Sequence, residues 1–184
     1  MKTSYPPEYP LNRDTLPKPS PIRVRFTTSK SLWFDMIFVA GNKACVTETA
    51  PVTWSEDDLM KWLRDLANGA ERCQMEPDNE GLVHTVETIR LDEKRVSLRI
   101  YDPYEFEDCD PSNEPTFFLE AVVSRRKLVW ETYSELKKVA SYFRLAHPEL
   151  GHRPDWEHIP EVEDWLDWPR YKHWHPDDVC PDTN

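Results

Sequence analysis

The residues best equipped for chemistry gather in two short stretches. In EPDNEGLVHTVE (76–87), Glu76, Asp78 and Glu80 lie close together ahead of Gly81. Carboxylates this near one another can share a divalent cation or divide acid and base roles. A calcium loop, however, needs oxygen ligands at fixed intervals, with a glycine sixth and a glutamate twelfth, and this stretch does not keep that spacing. The same residue types fit a turn: Pro77 and Asp78 favour a bend, Asn79 tolerates a left-handed backbone and Gly81 supplies a positive φ. The stretch therefore reads as a strand-entry turn with exposed acids, open to a partner but not catalytic. The second stretch is HWHPDDVC (173–180). His173 and His175 would share one face of an extended chain, with Asp177, Asp178 and Cys180 nearby, all of them zinc-ligand types. The paired spacing of structural zinc sites is missing, so a tail that docks Trp174 and leaves its histidines in water is the expectation, with no metal bound.

Nucleophilic catalysis has less support. There is no Gly-x-Ser-x-Gly elbow, and four glycines in the whole chain leave no phosphate-cradling loop. Cys73 and His84 could meet only through the fold, and free cysteines more commonly serve as small buried hydrophobes. The expectation is a protein that is not an enzyme and holds no cofactor.

Charge is more informative. The 184 residues carry a formal net charge of −11. Residues 102–114 (DPYEFEDCDPSNE) hold six acids and no base, and residues 152–184 hold nine acids and three bases. The rest of the chain is close to neutral. Nucleic acid is thus not expected as a direct partner, because phosphate binding needs a basic face. A basic protein partner is favoured, since opposite potentials speed encounter. The chain starts MKTSYPPEYPLNRD without an apolar run, and no run is long enough to cross a bilayer. Cys45, Cys73, Cys109 and Cys180 include no CxxC pair, so reduced thiols in the cytoplasm are expected.

Three regions emerge. Residues 1–21 contain Pro6, Pro7, Pro10, Pro17, Pro19 and Pro21 and should form an extended surface arm. Residues 22–146 carry the periodic patterns. IRVRFTT (22–28) alternates as a strand with one wet face, and LWFDMIFVAGNKACVTETA (32–50) forms two strands around Gly41-Asn42. WSEDDLMKWLRDLANG (54–69) is a helix capped by Ser55, with Leu59, Trp62, Leu63 and Leu66 on one stripe and Gly69 at its end. LVHTVETIRL (82–91) and RVSLRIYD (95–102) make a second hairpin, with Leu98 and Ile100 alternating with Arg99. PTFFLEAVVS (115–124) is a strand, and 124–146 is a long helix striped by Val129, Tyr133, Leu136, Ala140 and Phe143. Residues 147–184, rich in Trp, His and Pro, should pack over the domain, with a short helix at 160–168. The expected fold is α+β: one antiparallel sheet of five to seven strands with two main helices on one face.

Trp54, Leu59, Trp62, Leu63 and Gly69, then Asp78, Glu80 and Gly81, then Arg125, Leu128, Val129 and Tyr133 give residues 22–146 a pattern that resembles small α+β immunity proteins of bacterial polymorphic-toxin and contact-inhibition loci. The resemblance implies a protein that binds and neutralises a cognate toxin domain without catalysis or cofactor. The acidic charge adds that this partner is basic, and that Tyr104, Glu105, Phe106, Glu107 and Asp108, with Glu161, Glu163 and Asp164 of the tail, meet it. Two other readings use the same residues: a metal-dependent enzyme built on carboxylates and histidines, and an acidic mimic of nucleic acid that blocks a DNA-binding protein.

Overall fold

Strand β1 (Ile22–Thr28) starts from the alternation already visible in the sequence, burying Ile22, Val24 and Phe26 and turning Arg23, Arg25 and Thr27 outward. It pairs antiparallel with β2 (Phe34–Ala40), which pairs with β3 (Lys43–Thr49) around Gly41-Asn42. Positive φ in that turn is confined to Gly41 (62°), as in the hairpin turns that place glycine first. In this computed structural model, residues 16–28, 34–49, 56–76, 84–102, 117–146 and 158–168 are described. Residues 77–83, residues 103–116 and the HWHPDDVC stretch lie outside them.

Helix α1 (Glu56–Ala67) buries the expected stripe of Leu59, Trp62, Leu63 and Leu66. Gly69 ends it with φ 72°, and the Ala70 amide donates back to the Asp65 carbonyl at 2.9 Å. The chain then forms β4 (Arg72–Met75), a strand too short for its alternation to register in the sequence. β4, β5 (Thr85–Arg90), β6 (Arg95–Tyr101) and β7 (Leu119–Ser124) form an antiparallel sheet in chain order. Among the described residues the strands therefore fall into two antiparallel sheets, of three and four strands, rather than one. Among the described residues, a parallel bridge between Ser20 and Val123 links them, with the Ser20 amide donating to the Val122 carbonyl at 2.7 Å, and both sheets share one apolar core. A lone bridge leaves no alternation for sequence to show.

Helix α2 (Arg125–Ala146) runs beside β1, and α3 (Pro160–Leu166) packs near α1 and α2. Every residue of α2 from Leu128 to Leu136 is buried, so this stretch is enclosed on all sides rather than along one stripe. The polar members of that run have specific work. Glu131 accepts from the Val24 amide (3.5 Å) and the Arg23 guanidinium (2.9 Å). Glu135 accepts from the Phe26 amide (3.1 Å) and the Arg25 guanidinium (2.9 Å). Two residues along a strand advance about as far as four along a helix, roughly 6–7 Å. Glutamates at i and i+4 thus match amides at i and i+2, and α2 satisfies the open edge of β1 with side chains.

Candidate functional site

Of the residues expected to meet a partner, Tyr104, Glu105, Phe106, Glu107 and Asp108 lie outside the described residues. Glu161, Glu163 and Asp164 all sit on α3, and the structure separates them. Glu161 is exposed, 3.8 Å from the Arg64 guanidinium of α1. Asp164 is also exposed, as is Asp167 just beyond the helix. Glu163 is not available as a surface acid. It is buried on the inward stripe of Ile159, Val162 and Leu166, because i, i+3, i+4 and i+7 share one helix face. Its carboxylate accepts from the Tyr133 hydroxyl at 2.5 Å, lies 2.8 Å from Lys137 Nζ and 2.7 Å from His158 Nδ1. The Tyr133 oxygen in turn accepts from the Ile159 amide at 3.1 Å.

This arrangement sets protonation. Burial alone would raise the Glu163 carboxyl, but hydrogen bonds from Lys137 and Tyr133 and the charges of Lys137 and His158 hold it below its ordinary value. Burial, reinforced by the Glu163 carboxylate, pushes the Tyr133 phenol far up, so it stays a hydrogen-bond donor. The group works as a latch that holds residues 158–168 on α2. Aromatic packing strengthens it: Trp168 lies 4.5 Å from Trp130 and meets Tyr133 edge-on at 4.9 Å. Arg126 closes the end of α3 by donating to the carbonyls of Trp165 (3.2 Å) and Leu166 (2.5 Å). Asp167, with φ 51°, turns the chain so that Trp168 points inward.

A second charged group lies on the four-stranded sheet, on the face opposite Leu98 and Ile100. Cross-strand register aligns Glu87, Arg99 and Glu120. Arg72 Nε donates to Glu87 at 2.6 Å, and Arg99 Nε donates to Glu120 at 3.1 Å with Nη1 3.7 Å from Glu87. Glu87 and Arg99 are 0% and 2% exposed, so this face of the sheet is covered as well. Phe117 stacks under its guanidinium at 5.3 Å. Two carboxylates against two guanidiniums leave the ladder neutral, and paired charges are what burial tolerates.

The two thiols among the described residues, Cys45 and Cys73, are unsuited to nucleophilic attack. Burial pushes both Cys45 and Cys73 up to about 11, leaving little thiolate near neutral pH. Cys73 faces the Thr88 hydroxyl at 2.9 Å, while His84 stacks with Phe118 at 5.0 Å, in place of the Cys73–His84 pair considered from sequence. Among the described residues, no three His, Cys, Asp or Glu side chains converge as metal ligands, and no helix is long and apolar enough to cross a membrane.

Sequence reasoning missed Tyr133, Lys137, Glu87 and Glu120 as members of charged networks. Only Glu163 left a trace: an acid in the middle of an inward stripe. The others are polar residues whose partners lie 12 or more positions away. Comparisons with models of protein families, with curated proteins and with solved structures find no match to this chain.

Proposed function

We propose that the protein is a non-catalytic binding protein that neutralises a basic toxin domain in the cytoplasm, the role implied by the immunity proteins it resembles. One observation carries the reading. The described residues hold 19 acids and 17 bases, and their buried carboxylates are consumed by internal partners. The remaining residues hold 15 acids and six bases, so the excess negative charge belongs to the loop and tail segments. Glu161, Asp164 and Asp167 add exposed carboxylates on the latched α3 segment. Negative charge set apart from a balanced, packed body suits electrostatic capture of a positive protein surface. Tyr104 and Phe106 among the loop acids would supply anchors inside a polar rim.

The test is co-expression with a basic toxin domain encoded beside this gene, followed by calorimetry across a salt series. Expected are protection from the toxin and 1:1 binding that weakens with salt. Replacing Glu105, Glu107, Glu161 and Asp164 together by lysine should weaken binding at least tenfold. Binding that ignores both salt and the four replacements would overturn the acidic-surface reading.

A further inference from the structure

Two arginines are brought together without an ion-paired acid. Arg90 ends β5, its amide donating to the Glu71 carbonyl at 2.8 Å. Arg125 begins α2, its amide donating to the Lys94 carbonyl at 2.8 Å. Both guanidiniums converge on Gly69. A Cβ at that glycine would stand 2.7 Å from Arg125 Nη1 and 3.5 Å from Arg90 Nη1. Among the described residues neither guanidinium forms an ion pair or donates a hydrogen bond, and the Nε of Arg125 is buried without an acceptor. Glu93 acts on Arg125 through space but makes no ion pair with it. Stacking of Arg125 over Trp165 at 4.6 Å accounts for where that side chain lies. It does not account for a second guanidinium at the same point. Arginines remain protonated at any physiological pH, so the pair repels unless something neutralises it. Desolvation and the neighbouring Arg90 both push Arg125 down from its ordinary value.

We propose that Arg90 and Arg125, packed against Gly69, form a binding site for the phosphate group of a small ligand. Paired guanidinium forks match a phosphate's oxygens, each able to accept several N–H bonds. Arg90 is exposed, which leaves the site open to solvent, and it also lines an adjoining hollow of about 400 Å³ with Leu16, Glu71, Leu91, Asp92, Glu93 and Arg95. Asp92 is taken up there by Arg95, which donates to it at 2.7 Å. Glu71 and Glu93 have no ion pair among the described residues and would face amine or hydroxyl groups on the body of a phosphate ester. The hollow has the volume of ordinary small-molecule pockets. Gly69 serves two ends here: its positive φ closes α1, and its missing side chain admits the Arg125 guanidinium.

The test uses the full chain with inorganic phosphate and, separately, O-phosphoethanolamine, each against chloride at equal ionic strength. Thermal unfolding and calorimetry are read for wild type, Arg90→Gln, Arg125→Gln and Gly69→Ala. Phosphate should raise Tm beyond the chloride control, and affinity should fall at least tenfold in each variant. A tighter ester identifies a phosphomonoester as the source, and equal or weaker ester binding identifies inorganic phosphate; both support the site. The proposal is overturned if wild type shows no phosphate-specific shift, or if the shift survives unchanged in Arg90→Gln. That variant alters an exposed side chain without internal bonds, so it decides the matter even where Arg125→Gln fails to fold.

Discussion

Arg99 and Arg90 sit on adjacent strands of one hairpin, yet their settings are opposite. Arg99 lies mid-sheet, almost sealed from water, between Glu87 and Glu120 with a phenyl ring beneath it. Arg90 lies at the strand end, open to water, with another arginine in place of an acid. Burial forced a solution for Arg99: a charge held at 2% exposure must be neutralised inside the protein. Arg90 meets no such demand, because solvent screens it and leaves its charge available to a ligand. The first half of α2 repeats this division. Glu131 and Glu135 are saturated by β1, whereas Arg125 at the first turn is not.

The sharpest way to break this contrast is Glu87→Ala. It would leave Arg99 buried without its central counter-charge, and stability should drop by about 3–5 kcal/mol in urea unfolding. A loss below about 1 kcal/mol would mean that water already reaches the ladder. Next in size is the pair Glu131→Ala with Glu135→Ala, which strips acceptors from the edge amides of β1. A combined loss of about 2–3 kcal/mol is expected, with faster hydrogen exchange at Val24 and Phe26 as the local signature. Unchanged exchange at those amides would refute the edge-capping role.

The latch comes third. Tyr133→Phe removes the donor to Glu163 and the acceptor for the Ile159 amide, and should cost about 1–2 kcal/mol. Because the folded carboxyl of Glu163 is depressed, its contribution is present above its ordinary value, about 4.3, and is lost as pH falls through the depressed one. Stability measured from pH 6 down to pH 3 should therefore decline less steeply in Glu163→Gln than in wild type. Parallel acid limbs would remove Glu163 from the account. The smallest effect belongs to Arg90→Gln in phosphate-free buffer. Relief of like-charge repulsion should leave stability level or raise it by about 0.5 kcal/mol, the opposite sign from every buried change above.

Patterns of period two and 3.6 were legible wherever one face of an element is apolar and the element is long. They located β1, β2 and β3, the stripe of α1 and the span of α2. β4 escaped because Arg72–Met75 is only four residues, hemmed between Gly69 and Pro77. The burial of Arg99 was not legible because alternation reports which residues share a face, and not whether that face is covered. Glu163 read as a partner contact for a related reason: charge type is local, while pairing is not.

What the amino-acid order determined by itself was composition, the separation of acid excess from the balanced body, and the α+β character set by hydrophobic period. Tertiary structure alone decided that the seven strands among the described residues divide between two sheets, that α2 seals the edge of β1, and which charges cancel. Those outcomes depend on through-space distances between residues up to 110 positions apart. Coulomb and hydrogen-bond energies vary with separation and local dielectric, neither of which a linear order of residues contains.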